Sequence, residues 1–416
     1  MGISRRTFLS LAAMGAGAAL PGIGRAASVS GKTPFLPGAT PLPPHRFDPW
    51  VEVIPEHLAQ NVAEVARLAG GRPILAVVKN NAYGLGLETV GPLLDAHPSI
   101  QGLAVVKGEE ALALRAAGVA KPILLMGMFD LEEGQELVRA GVQLALFTPD
   151  AGERLDALAP AAGGPVEAQL YIDTGMGRMG MPWRDAGSWA RDLASRPQLR
   201  IRGTFTELSE SRELDPEQIR RFLELAGEVR SQGVELGPLH AAASNGVFHF
   251  AGSHLEMVRP GIALFGSYPS EPELEREMAE LRPAVRLRAR VVRVAHLRAG
   301  ESVGYHQAWI AHRPTWTATL PLGHVDGYRR EAVKGARVLI NGRLFPVIGG
   351  VSASHCVVDL GEDPAARVGD VATLMGPDHP DLEPNRMAER LGVSVYDLLM
   401  HLNPRLPRVL VEENAS

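Results

Sequence analysis

The run Ile74-Leu75-Ala76-Val77-Val78, closed by Lys79, decides how the rest of the chain is read. Five apolar residues without polar alternation are too few for a helix and predict a strand buried on both faces, as parallel sheets require. Comparable runs follow at Leu103–Val106, Ile123–Met126, Gln143–Phe147, Ala168–Ile172, Ile201–Thr206, Leu239–Ala242 and Ile262–Phe265. Stretches with helical spacing accompany them. His57–Leu68 carries Leu58, Val62, Val65 and Leu68 on one face, and Leu131–Ala140 and Gln218–Val229 behave similarly. Eight buried strands joined by helices predict an α/β fold: a (β/α)8, TIM-like barrel over residues 45–280, not an open doubly wound sheet.

After Glu280 the rhythm changes. Val285–Leu297 and Thr315–Leu322 alternate apolar and polar residues. Arg337–Ile340 and Phe345–Val351 flank Asn341-Gly342, a hairpin signal, and Val371–Met375 adds a further strand. A C-terminal, mostly β domain is expected over 281–416, closed by helices near Met387–Leu391 and Tyr396–Leu402.

Composition narrows the function classes. Of 416 residues, 45% are hydrophobic and 21% charged, which fits a globular chain. The formal net charge of −5 gives no basic surplus of the kind that nucleic-acid binders carry. A single cysteine, Cys356, excludes an intramolecular disulfide framework and a multi-thiolate metal site. The histidines form no His-Glu-x-x-His motif or close cluster, so no metal is expected.

The N-terminus reads Ser4-Arg5-Arg6-Thr7-Phe8-Leu9, then an Ala- and Gly-rich apolar stretch to Leu20, then the small-residue exit Gly24-Arg25-Ala26-Ala27. That order resembles a twin-arginine export signal over 1–27, followed by a Pro/Gly-rich tether over 28–44. A periplasmic enzyme, exported folded with its cofactor, is the expectation. No apolar run reaches the ~18 residues of a membrane span, so no membrane association is expected after processing.

In a barrel the chemistry lies at the C-terminal ends of the strands. Lys79 closes a wholly apolar strand, where its amine needs a partner or a covalent role. In a barrel mouth it could lose its proton and bond an aldehyde; taken alone, it could equally snorkel to solvent. The surrounding Lys79-Asn80-Asn81-Ala82-Tyr83-Gly84-Leu85-Gly86 closely resembles the pyridoxal-phosphate lysine motif of the alanine racemase family, a barrel joined to a β domain. The resemblance extends over about residues 45–412. It implies that Lys79 carries pyridoxal 5'-phosphate covalently and that Tyr83 reaches the phosphate. Asp173-Thr174-Gly175-Met176-Gly177-Arg178 looks like a second family segment, implying that Arg178 bonds the cofactor's phenolic oxygen or the substrate carboxylate. The dinucleotide spelling Gly175-x-Gly177-x-x-Gly180 in the same stretch lacks a βαβ context and is rejected.

Arg259-Pro260-Gly261-Ile262 is similar to the segment whose arginine bonds the pyridine nitrogen, an arrangement that favours proton exchange over decarboxylation or transamination. By the same resemblance Ser244, Tyr396 and the backbone N–H groups of Gly261 and Ile262 bind the phosphate. Ser302-Val303-Gly304-Tyr305 resembles the segment that presents a catalytic tyrosine across a homodimer interface. Racemisation needs a proton acceptor on each face of a planar carbanion, and Lys79 and Tyr305 would supply one each. Without the resemblance, Tyr305 could be a core aromatic and Arg259 a surface ion pair.

Four departures from the family pattern stand out. Tyr171 stands where a carbamylated lysine is frequent, and Thr206-Glu207 stands where Thr-His is usual. Ala353 and Ser354 replace Met-Asp on the substrate-carboxylate side, and His324 replaces a tyrosine in the segment Pro321–Tyr328 near the site entrance. Both bases survive, while the pocket walls change. The expected activity is racemisation of alanine or of a wider set of amino acids. A barrel-plus-β decarboxylase of basic amino acids is the alternative, though it should place an acid where Arg259 stands. A non-catalytic pyridoxal-phosphate carrier would have no need of a β domain with Tyr305.

Overall fold

The computed structural model describes residues 48–413; the predicted signal and tether lie outside them. Strand β1 (Trp50–Val53) is followed by helix α1 (Pro55–Leu68), which starts on a proline that needs no N–H partner there. Its buried face carries His57, Leu58, Asn61, Val62 and Val65. Asn61 is fully buried yet satisfied, donating to the carbonyls of Leu264 (3.2 Å) and Arg282 (2.8 Å) and accepting from Arg282 N–H (2.8 Å).

The barrel strands run parallel in chain order: β2 (Ile74–Val77), β3 (Ile100–Val105), β4 (Ile123–Leu125), β5 (Val142–Leu146), β6 (Val166–Asp173), β7 (Leu199–Thr206) and β8 (Leu239–His240). The eighth stave is not the predicted one. Ile262–Phe265 is a 3₁₀ turn, and residues 256–260 close the ring instead. Glu256 N–H donates to Leu239 O (3.1 Å), while Leu75 and Val77 N–H donate to Val258 O and Pro260 O (both 2.9 Å). Glu256, Arg259 and Pro260 interrupt any apolar run there, which hid the stave from periodicity. The correction matters for the site: Arg259 is inside the closing stave, and the 3₁₀ turn follows it at the barrel mouth.

The C-terminal domain is a nine-stranded sheet. Val285–Arg290 and Arg293–Leu297 are two strands rather than the predicted one. The Asn341-Gly342 hairpin forms as expected, with both residues at positive φ (49° and 76°) between paired Ile340 and Arg343. β1 joins this sheet, antiparallel to Val285–Arg290 and parallel to Arg408–Leu410, so the β domain includes residues from before the barrel. Buried Glu52 meets Arg288 Nε at 2.9 Å across that seam. Helices Pro384–Leu391 and Val395–Met400 precede the last strand, Arg408–Leu410, and the second reaches the barrel mouth. Among the described residues no helix is long and apolar enough to cross a membrane.

Candidate active site

β2 ends at Val77, and Asn80, Asn81, Ala82 and Tyr83 then take left-handed backbone with φ of 54°, 57°, 52° and 53°. Such a turn costs non-glycine residues roughly 1–2 kcal/mol each, so something must hold it. Asn81 N–H donates to Glu110 Oε1 (3.0 Å), Asn81 Oδ1 accepts from Leu87 N–H (2.8 Å), and Arg408 Nη2 donates to Gly84 O (2.8 Å). Gly84 lies against Leu399, whose carbonyl oxygen would be 2.0 Å from a Cβ there. The strained turn reverses the chain at once after the strand and brings both Lys79 and Tyr83 to the wall of one cavity.

That cavity, of about 320 Å³, is lined by Lys79, Tyr83, Tyr171, Arg178, Ser244, Arg259, Gly261 and Tyr396, with Phe205, Glu207 and others between them. A larger hollow of about 980 Å³ flanks the outer side of the turn, but neither Lys79 nor Arg259 lines it. The chemistry-bearing groups therefore assign the smaller one as the site. The Lys79 amine is held below its ordinary range, chiefly by burial; Arg178 and Arg259 push the same way, while Glu207 and Glu110 oppose them.

Arg259 is only 2% exposed. Its Nη2 donates to Glu207 Oε2 (2.7 Å) and Thr206 O (2.9 Å), and its Nη1 faces His240 Nδ1 at 2.8 Å. Burial, and then the neighbouring guanidinium, keep His240 well below the usual imidazole range, so Nδ1 accepts from Arg259 and Nε2–H donates to Gln169 Oε1 (2.8 Å). The pairing of β6 with β7 sets Tyr171 opposite Phe205, and their rings stack at 4.3 Å. Phe205 in turn lies 5.1 Å from the His240 ring and 5.0 Å beneath the Arg259 guanidinium. An aromatic floor with one oriented arginine is suited to a flat, heteroaromatic ring.

At the other end, Ser244 Oγ accepts from the N–H groups of Gly261 (3.0 Å) and Ala263 (3.3 Å). Gly261 is a cradle that a side chain would fill: its Cβ would lie 2.1 Å from the Tyr83 hydroxyl. Tyr83 and Tyr396 stand 6.3 Å apart and keep their protons, both phenols raised first of all by burial. Two neutral hydroxyl donors, a serine and a turn rich in N–H groups suit a phosphate.

Comparison with known proteins agrees with this architecture. The alanine racemase N-terminal domain model matches residues 53–269, and the alanine racemase C-terminal domain model matches 284–410. An alanine racemase of Carboxydothermus hydrogenoformans is 33% identical over 371 residues, covering 87% of this chain and 99% of that one. One from Desulforamulus reducens is 32% identical over 369 residues, covering 87% and 98%. Among solved structures, a Clostridium difficile alanine racemase superposes with a TM-score of 0.82 at 26% identity, covering 88% of this chain and 96% of that chain. The biosynthetic enzyme of Pseudomonas aeruginosa gives 0.75 at 31%, covering 88% and 100%. This chain belongs to the alanine racemase family.

The family depends on pyridoxal phosphate, and the cavity fits that group from aromatic floor to phosphate cradle. The residues singled out from sequence fall in two places. Lys79, Tyr83, Arg178, Ser244, Arg259, Gly261 and Tyr396 share the cavity, and Ile262 follows Gly261 at the start of the 3₁₀ turn. Tyr305, Ala353 and Ser354 do not line it. Tyr305 is 81% exposed, on a turn where Gly304 presses against the Gly349 carbonyl. His324 and Val325 N–H donate to Ser352 O (3.0 Å) and Ala353 O (3.1 Å), which joins the entrance segment to the same exposed edge. Of the departures, the Tyr171 phenol shares the cavity wall with Arg178, and Glu207 lies between two guanidiniums. Sequence reading missed Phe205, His240 and Glu110, none of which has a motif of its own.

Proposed function

We propose that this protein is a pyridoxal-phosphate-dependent racemase interconverting L- and D-alanine, and that it works as a homodimer with shared sites. The observation that carries the reading is the division of the site: a strand-end lysine over a ring-shaped, phosphate-ended cavity, with Tyr305 exposed elsewhere on the same chain. Lys79 would hold the cofactor, Arg259 its ring nitrogen, and Tyr83, Ser244, Gly261, Ile262 and Tyr396 its phosphate. Pyridoxal phosphate, when bound, withdraws electrons from the substrate's α-carbon and makes its C–H acidic.

The chain's own residues do the rest. Arg178 anchors the substrate carboxylate. The Lys79 amine, made a weaker base by burial, moves the proton on one face of the α-carbon. Tyr305 of a second copy moves it on the other face, and Ala353 and Ser354 of that copy wall the carboxylate side. One C–H bond breaks and its mirror-related bond forms, with no net redox change. A decarboxylase would need a carboxylate at the ring nitrogen; Glu207 is instead engaged by Arg259. Incubation with L-alanine, L-lysine and L-arginine separates the readings: D-alanine is expected, CO2 release would indicate a decarboxylase, and neither would leave a binding protein. A chiral panel of further amino acids sets the substrate range. Periplasmic location is proposed on Arg5-Arg6 and the apolar stretch behind them; a doubly substituted R5K/R6K chain should remain in the cytoplasmic fraction.

A further inference from the structure

Glu207 has no counterpart in the expected pattern, yet it occupies the electrical centre of the pocket. Its Oε2 accepts from Arg259 Nη2 at 2.7 Å, and its Oε1 lies 3.7 Å from Arg178 Nη2. The two guanidiniums come from different elements, one in the closing stave of the barrel and the other in the loop after β6. Among the described residues only this carboxylate bridges them. Its grip on Arg259 is directional. Glu207 and Thr206 O take Nη2 and His240 takes Nη1, leaving Nε without a protein partner among these contacts, on a residue that lines the cavity. Arg178 is held less tightly, with its side chain 55% exposed, and Tyr171 stands beside it on the cavity wall.

We propose that Glu207 is a positioning residue: one carboxylate shared by two guanidiniums, which fixes where each points and offsets half of the positive charge they bring to the Lys79 nitrogen. The proposal rests on the reading of this cavity as the cofactor site. The charged and titratable groups around Lys79 are Glu110 from the helix Gly108–Ala116, Arg178, Glu207 and Arg259, with Glu210 and the phenols of Tyr83, Tyr171 and Tyr396 on the same cavity wall. Glu110 already accepts from the Asn81 amide, so Glu207 is the group best placed to balance the arginines. The electrostatics around Lys79 agree: Glu207 is the strongest influence favouring the protonated amine.

The test is a pH titration of the visible absorption band of purified holoenzyme, which reports protonation at the lysine-bound nitrogen without turnover. E207Q keeps the shape and loses the charge. Its titration should move measurably to lower pH, because the group that most favours the protonated nitrogen has lost its charge. E207D keeps the charge and should titrate near wild type. Its shorter arm cannot reach both arginines, so its kcat/KM for alanine should fall about three- to fivefold, the scale of a half-exposed ion pair. R178Q removes a positive charge and should move the titration to higher pH, a reading available even if E207Q folds poorly. E207Q titrating like wild type, or R178Q shifting downward, overturns the proposal. Shifts as expected in a protein that does not racemise alanine would refute the activity reading alone.

Discussion

Gly261→Ala tests the phosphate cradle with one methyl group. The φ of Gly261, −122°, is open to alanine, but its ψ of −89° lies outside the regions that a residue with a Cβ favours, so the methyl adds backbone strain to a steric clash. The new Cβ would lie 2.1 Å from the Tyr83 hydroxyl oxygen, 2.7 Å from Cζ and 3.2 Å from Cε2. Tyr83 has little room to retreat: it is 4% exposed, with Phe265 at 5.0 Å and Tyr396 at 6.3 Å between ring centroids. Forcing a methyl into such a site costs about 1–3 kcal/mol. If Tyr83 yields, the cost falls on the cofactor, whose Kd should rise roughly 5- to 150-fold. The assay is titration of apoenzyme with pyridoxal phosphate, beside a thermal melt of the apoenzyme to catch any part of the cost taken by the fold. Tyr83→Phe removes the nearest oxygen, so the alanine substitution should cost less in that background than alone. An unchanged Kd together with an unchanged melt would refute the steric argument. Equal costs in both backgrounds would show that the clash is not with the hydroxyl.

Three further outcomes follow from the same structure. Tyr305→Phe should lower racemisation by about 10²–10⁴-fold, the usual worth of a positioned general base, while solvent-deuterium exchange falls far less for the enantiomer whose proton Lys79 moves than for the other; equal losses for both enantiomers would count against two bases. Lys79→Met should stabilise the apoenzyme. Because the folded amine has a lowered pKa, the unfolded chain binds more protons, so wild-type stability rises with pH through that range, and the melting gap between the two proteins should narrow on going from neutral to alkaline pH. Cys356, fully buried with its thiol pushed up to about 12, should react with thiol reagents only as fast as the chain opens.

The barrel was legible because its strands are buried on both faces, which writes them as continuous apolar runs. β2 and β4 are wholly buried along their lengths, and sequence located both. The closing stave was not legible for the opposite reason. Residues 256–260 carry Glu256 and Arg259, whose polar ends are satisfied only by groups far away in sequence: Leu239 N–H for Glu256, and His240 and Glu207 for Arg259. A local window sees two charges and a proline and reads a loop. The next apolar run, Ile262–Phe265, then reads as the missing strand although it is a turn. β1 shows another limit: the sequence reading named no strand at Trp50–Val53 and gave these residues to the barrel region, whereas they pair within the β-domain sheet.

The site divides along a similar line. Groups fixed by the end of a strand, Lys79 above all, were readable because the fold rule and the local motif agree on where they point. Groups defined by their partners were readable only as departures. Glu207 looks like a misplaced residue beside Thr206 until Arg259 and Arg178 arrive from distant segments, and then one carboxylate answers two charges. Tyr171 is similar: it breaks the expected lysine position, yet it stacks on Phe205 and places its phenol on the same cavity wall as the arginine that the lysine would have served. The two departures therefore compensate each other around Arg178, one with a neutral phenol and one with a negative charge. Such compensation predicts coupling. Removing both groups should loosen Arg178 by more than the sum of the single losses, because either one alone still confines it. A Tyr171→Phe/Glu207→Gln double variant measured as a kcat/KM cycle with alanine should depart from additivity in that direction. Strict additivity would mean that the two residues serve Arg178 independently, and the compensation argument would fail.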